Sequence, residues 1–161
     1  PAGMADTDFH VPPDKLSRFV PQLARVDHGF DVFDPVDGMW AAPPRFPMGS
    51  AGLVSTIDDL IAFTDTLRDG KLLSEATLTA ARTDHLTAAQ RADADAFLDG
   101  AGWGYGQCVE PDGRYGWDGG LGTGWRADPR TGVSDLLLTQ VLWSGPEGPK
   151  LLRDFRSATH R

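Results

Sequence analysis

The sequence predicts an α+β fold in which helices pack on an antiparallel sheet. Two observations carry this reading. Helical periodicity with capping residues fills the stretch from Ser55 to about Gly100, and short strand-like runs split by turn signals fill Gly100 to Leu142. A third sets the scale. At 161 residues, 17.4 kDa and 40% hydrophobic, the chain is the size of one ordinary core, with a folded surface of roughly 7,800 Å² by area scaling.

The elements follow in order. Pro1-Ala2-Gly3-Met4 reads as a turn. Pro13 opens a helix over Asp14–Ala24, where Leu16, Phe19, Val20 and Leu23 recur at helical spacing and Pro21 limits the length. From Asp27 to Gly49, glycines and prolines alternate with Phe30, Phe33, Met39, Trp40 and Phe46, which predicts a long packed loop. Ser55, with Asp58 three residues on, is the expected cap of a helix whose Leu60, Ile61, Phe63, Thr64 and Leu67 form a buried stripe ending at Gly70. Ser74 caps a second helix reaching about Arg82, and Thr87 with Gln90 caps a short third. Strands are expected over Trp103–Val109, Arg114–Trp117, Gly122–Ala127 and Val133–Leu142. Pro111-Asp112-Gly113 and Asp128–Gly132 are the hairpin connectors between them. Pro146 and Pro149 introduce a final helix with Leu151, Leu152 and Phe155 on its apolar side.

Composition excludes several classes. The net charge of −8 argues against nonspecific nucleic-acid or anionic-membrane partners, which need a basic face. Cys108 is the single cysteine, so neither an internal disulfide nor a multi-cysteine zinc site is possible. The strongest apolar run, Leu136-Leu137-Leu138, is far shorter than a membrane span. His10, His28, His85 and His160 show no ligand spacing, so neither metal nor cofactor is expected. No Gly-x-Ser-x-Gly elbow is present, Gly49-Ser50-Ala51-Gly52 being only a loose likeness, and no Gly-Lys-Ser/Thr phosphate loop. Asp58-Asp59 is explained by its place at a helix start.

One stretch stands out. Tyr115-Gly116-Trp117-Asp118-Gly119-Gly120-Leu121-Gly122-Thr123-Gly124-Trp125 sets glycines between two tryptophans. Glycine weakens a strand unless backbone or ligand must come close. The stretch reads either as a tight turn packed by tryptophans or as a strand edge whose N–H groups meet an extended ligand or an oxyanion.

The motifs carry a resemblance. Pro1-Ala2-Gly3-Met4-Ala5-Asp6-Thr7-Asp8-Phe9, Gly52-Leu53-Val54-Ser55-Thr56-Ile57-Asp58-Asp59 and Gly102-Trp103-Gly104-Tyr105-Gly106 resemble, in this order, segments of the class C β-lactamase-related serine hydrolases. That group includes D,D-peptidases, D-aminopeptidases and esterases with a β-lactamase fold. Trp117-Asp118-Gly119 stands where the family has Lys-Thr-Gly, His-x-Gly or Trp-x-Gly. The resemblance implies that this strand borders the active site, that Gly119 allows close approach and that the Gly120 N–H is an oxyanion donor, with Leu121 the less favoured donor. Tryptophan at position 117 removes a cation for a substrate carboxylate, and Asp118 adds a charge that would repel one unless its side chain points away. An ester or neutral amide is therefore the expected small-molecule substrate, rather than a β-lactam.

The family nucleophile sits in Ser-x-x-Lys and its partner in Tyr-x-Asn or Tyr-x-Ser. Ser17, Ser50, Ser55, Ser74, Ser134, Ser144 and Ser157 all lack a lysine three residues on, and Tyr105 and Tyr115 lead to Gln107 and Trp117. In the family both motifs precede the Pro-x-Gly-Met segment. The chain also starts at Pro1 and stops at Arg161 inside an expected helix. Residues 1–161 thus read as the C-terminal portion of a β-lactamase-like domain, without catalytic residues, inert alone, and partnered by a missing N-terminal half. Two other expectations stand beside this one: a non-catalytic module holding a peptide or glycan on the Trp/Gly edge, and a fragment that self-associates through exposed strand edge and the side of Leu151, Leu152 and Phe155.

Overall fold

The computed structural model describes residues 1–145 and 148–159. The expectations that fall on Pro146, His160 and Arg161 lie outside the described residues. An antiparallel sheet of five strands runs in chain order: β3 (Gly102–Trp103), β4 (Cys108–Val109), β5 (Tyr115–Gly119), β6 (Thr123–Ala127) and β7 (Ser134–Leu138). A second, two-stranded sheet pairs β1 (Gln22–Val26) with β2 (Gly29–Asp34). Helices α1 (Ile57–Arg68), α2 (Glu75–Ala81), α3 (Ala88–Leu98) and α4 (Lys150–Thr159) complete the α+β arrangement.

The first fifty residues depart from expectation. Of the helix expected over Asp14–Ala24, only the part within Pro13–Arg18 is helical, as a 3₁₀ segment, and Gln22 already begins β1. Pro21 is the cause: it lacks an N–H and pushes Val20 out of the helical region. The expected long loop holds β2 and a short 3₁₀ turn at Met39–Ala41. Asp27 and His28 form the turn that lets Val26 pair with Gly29.

The helical middle follows its caps. Thr56 rather than Ser55 caps α1, its side chain accepting from Asp59 N at 3.2 Å. Thr64 and Leu67 are buried as expected, whereas Ile61 is exposed. Thr87 and Gln90 make a reciprocal capping box on α3. The run Trp103–Val109 is two short strands, because Gly104 N–H donates to Gln107 O and Tyr105 N–H to Ala81 O, turning the chain between them. The run expected to reach Leu142 leaves β6 after Leu138; Leu23 then donates to Gln140 O and accepts from Leu142 N–H, joining the small sheet to the large one.

Strand alternation sends side chains to two faces. Tyr115, Trp125 and Ala127 pack against Leu67 of α1 and Leu78 of α2. On the other face lies α4, with Leu152 buried and close enough that a side chain at Gly124 would strike it. Leu151 of the same helix is exposed, so α4 turns only part of its expected apolar side to solvent. The exposed surface totals 10147 Å², well above the scaling expectation from chain length.

Candidate functional site

A cavity of about 790 Å³ opens against the α1 face of the sheet. Its wall takes Trp117, Leu121, Thr123, Gly124 and Trp125 from the β5–β6 hairpin, with Phe63 of α1 and Trp40. The two tryptophans lie opposite each other in the ladder but lean to different neighbours. Trp125 sits edge-on to Phe63 and Tyr115, at 6.0 and 5.8 Å between ring centroids. Trp117 meets Trp103 at 4.6 Å and the exposed Phe97 of α3 at 5.2 Å.

The glycines of the hairpin have separate reasons. A Cβ at Gly116 would lie 2.2 Å from Trp125 O, and one at Gly122 would lie 2.4 Å from Val141 O. A Cβ at Gly119 would meet Thr123 Oγ1 at 2.9 Å, whereas at Gly120 it would meet nothing within 4 Å. Gly120 is exposed, its carbonyl accepts from Trp143 N–H at 2.8 Å, and its own N–H donates to no group among the described residues.

The edge beside these residues is open. β4 pairs with β5 only through Cys108–Gly116 and Val109–Tyr115. From Trp117 to Gly119, β5 has β6 on one side and no ladder partner on the other among the described residues.

Asp118 points away from the cavity. Its carboxylate turns to the α4 face, is 9% exposed, and accepts from Arg126 Nη1 and Nη2 at 3.2 and 3.1 Å and from Arg156 Nη2. Arg126, 4% exposed, also donates through Nε to Glu110 Oε1 at 3.0 Å and through Nη1 to Trp125 O at 2.8 Å. Burial lowers the Arg156 pKa and raises that of Cys108 beside this cluster. Two carboxylates face two guanidiniums beneath the sheet, so Asp118 presents no net charge to the cavity. No local pattern signals this pairing, since Arg126 and Arg156 are 8 and 38 residues away.

Ser55 also lies on the cavity wall. Its Oγ is 2.8 Å from Thr7 Oγ1, which donates to Asp59 Oδ2 at 2.7 Å. Asp6 N–H donates to the same carboxylate oxygen at 2.8 Å. This clamp ties the first residues to α1, and it contains neither lysine nor histidine. Arg18, a cation on the wall, is engaged by Asp6 at 2.9 Å. Among the described residues no three His, Cys, Asp or Glu side chains converge to hold a metal, and no helix is long and apolar enough to cross a membrane.

The five-stranded antiparallel sheet is flanked by helices and bears a cavity on one face, whose wall takes Trp117 but neither Gly119 nor Gly120. The chain belongs to the Beta-lactamase family, whose profile matches residues 1–154. It is 32% identical to Protein Rv1367c of Mycobacterium tuberculosis across 91% of this chain and 41% of that protein. It is 29% identical to Esterase EstB of Burkholderia gladioli across 92% of this chain and 43% of that protein. Among solved structures it superimposes on a LovD6 mutant of simvastatin synthase from Aspergillus terreus with a TM-score of 0.83, at 22% identity, covering 99% of this chain and 47% of the synthase. The chain therefore spans less than half the length of the relatives it matches.

Proposed function

We propose that this chain is the substrate-side portion of a serine hydrolase or acyltransferase acting through an acyl-enzyme on an uncharged ester or neutral amide. The observation that carries the reading is the open edge of β5 at Trp117–Gly119, ending in the free, exposed N–H of Gly120. When a serine oxygen attacks a carbonyl carbon, the carbonyl oxygen becomes an oxyanion, and a fixed backbone N–H lowers that barrier by donating to it. The collapse of this intermediate expels the alcohol or amine with a proton, and water or a second alcohol then releases the acyl group. Gly120 supplies the donor, while the serine and its base come from outside these 161 residues.

Charge supports the substrate class. Trp117 provides no cation, Arg18 is committed to Asp6, and the remaining cations near the hairpin point to the far face with Asp118. Among the described residues Arg18 is the one cation on the cavity wall, and it is paired with Asp6. The esterase name of one relative agrees with this reading.

The test compares the purified 161-residue chain with the product of the full reading frame that encodes it, using p-nitrophenyl esters and nitrocefin. The chain alone should turn over neither. The full product should carry Ser-x-x-Lys and Tyr-x-Asn or Tyr-x-Ser upstream and hydrolyse the ester in preference to nitrocefin. Serine-dependent turnover or covalent labelling of the chain alone would overturn the reading.

A further inference from the structure

The segment Trp117–Gly120 has few means of holding its own shape. Gly119 and Gly120 lack side chains, glycine is the most conformationally free residue, and one strand edge is unpaired. What remains is the β6 ladder, the turn bond from Gly122 N–H to Gly119 O at 2.9 Å, the bond from Trp143 N–H to Gly120 O at 2.8 Å, the Trp117 ring and the Asp118 carboxylate. Of these, only Asp118 ties the segment to the layer beneath the sheet.

That tie is built from several elements. Arg126 of β6 forks onto both Asp118 oxygens, and its Nε reaches Glu110 just beyond β4. Arg156 of α4 reaches Asp118 Oδ2. Gly124, the ladder partner of Asp118, makes the arrangement possible, since a Cβ there would lie 2.6 Å from Asp118 Oδ1 and 2.9 Å from Leu152 Cδ1. A planar guanidinium bound at both oxygens fixes the direction of the carboxylate as well as its place.

We propose that Asp118 is a positioning residue: gripped by Arg126 and Arg156 on the face away from the cavity, it sets the pitch of Gly119–Gly120 and so the aim of the Gly120 amide at the open edge. The inference rests on the acyl-transfer reading for its catalytic consequence, but not for its structural content. Asp118 touches no substrate and acts through the backbone on either side of it. α4, which lends no residue to the cavity wall among the described residues, thereby becomes part of the support of the oxyanion donor.

The structural content is tested in the 161-residue chain by labelling glycine with ¹⁵N and following the Gly119 and Gly120 amides. Asp118→Asn keeps the shape and removes the charge. The expected result is displacement or exchange broadening of these two amides, with Gly70, Gly100 and Gly132 in place. Should that variant fail to fold, Arg156→Gln leaves Arg126 on Asp118 and should give a smaller displacement of the same two amides. Unmoved Gly119 and Gly120 amides, or a change spread evenly over all glycines, would overturn the proposal.

The catalytic consequence is read in the full-length enzyme. Asp118→Asn should lower kcat roughly tenfold, a fraction of the loss on deleting an oxyanion donor, with KM nearly unchanged. An unchanged kcat in an enzyme that does hydrolyse esters sinks the positioning role and leaves the proposed function standing. Glycine displacement in a full-length protein without hydrolase activity does the opposite.

Discussion

Gly116 and Gly120 lie four residues apart in one glycine-rich stretch, yet only the first is demanded by the fold. Gly116 has φ +149°, and a Cβ there would lie 2.2 Å from the Trp125 carbonyl, a backbone atom that cannot swing aside. Gly116→Ala should therefore cost about 3 kcal/mol or more, from strained backbone and overpacking together. Gly120→Ala meets open space, and its stability should stay within about 0.5 kcal/mol of the parent chain. Urea denaturation of the two variants checks this, and equal midpoints would refute the close approach of β5 and β6. The sequence marked the stretch as unusual because glycines rarely crowd a strand. It could not say which glycine serves packing and which the open edge, since that depends on the Trp125 carbonyl brought in by register. The direction of Asp118 was hidden for the same reason: its partners Arg126 and Arg156 come from another strand and another helix.

Elements were legible where the signal is local. Ser74 and the Thr87–Gln90 box start helices through bonds spanning three residues, and both stand where the sequence places them. The β1–β2 hairpin was not legible, because Pro21 cancels a helical spacing that leucines and phenylalanine otherwise suggest. The segment before it carries ion pairs from Asp6 to Lys15 and Arg18. Hydrogen bonds from Arg18 and Lys15 hold the Asp6 carboxyl down at about 2. A carboxylate depressed in the folded state stabilises above its unfolded value, and that contribution fades as pH falls through the folded one. Tethering of the first residues should thus weaken between about pH 4 and pH 2. Asp6→Asn should flatten the dependence of the urea midpoint on pH over that interval. Some slope should persist, because Lys71 and Arg68 likewise hold the Asp69 carboxyl low. An Asp6→Asn profile parallel to that of the parent chain would show that the ion pairs of Asp6 with Lys15 and Arg18 carry no stability.

For the whole molecule, area is the informative quantity. The chain exposes 10147 Å², about 2,300 Å² beyond what a compact chain of its mass should show. A standard interface covers about 800 Å² on each partner, so the surplus has the size of a permanent interface. Length alone suggested one closed core, because scaling takes compactness for granted. The sequence points to a sheet edge and the apolar side of α4 as uncovered surface; on α4 Leu151 is exposed and Leu152 is buried, and further exposed apolar residues gather on β2. Phe30 and Val32 alternate along one side of β2, Phe33 lies on the other, and Met39 follows, all at least 49% exposed. Apolar surface on this scale drives association unless it is covered. The chain by itself should therefore self-associate, with an average mass in light scattering that rises with concentration. Phe30→Glu together with Val32→Lys should shift that rise to higher concentration without lowering the urea midpoint, since both side chains are already solvent-exposed. A single monomer mass up to the highest attainable concentration would refute the expectation. If the full-length product is monomeric where the 161-residue chain is not, the surplus surface is the face that the rest of the polypeptide covers.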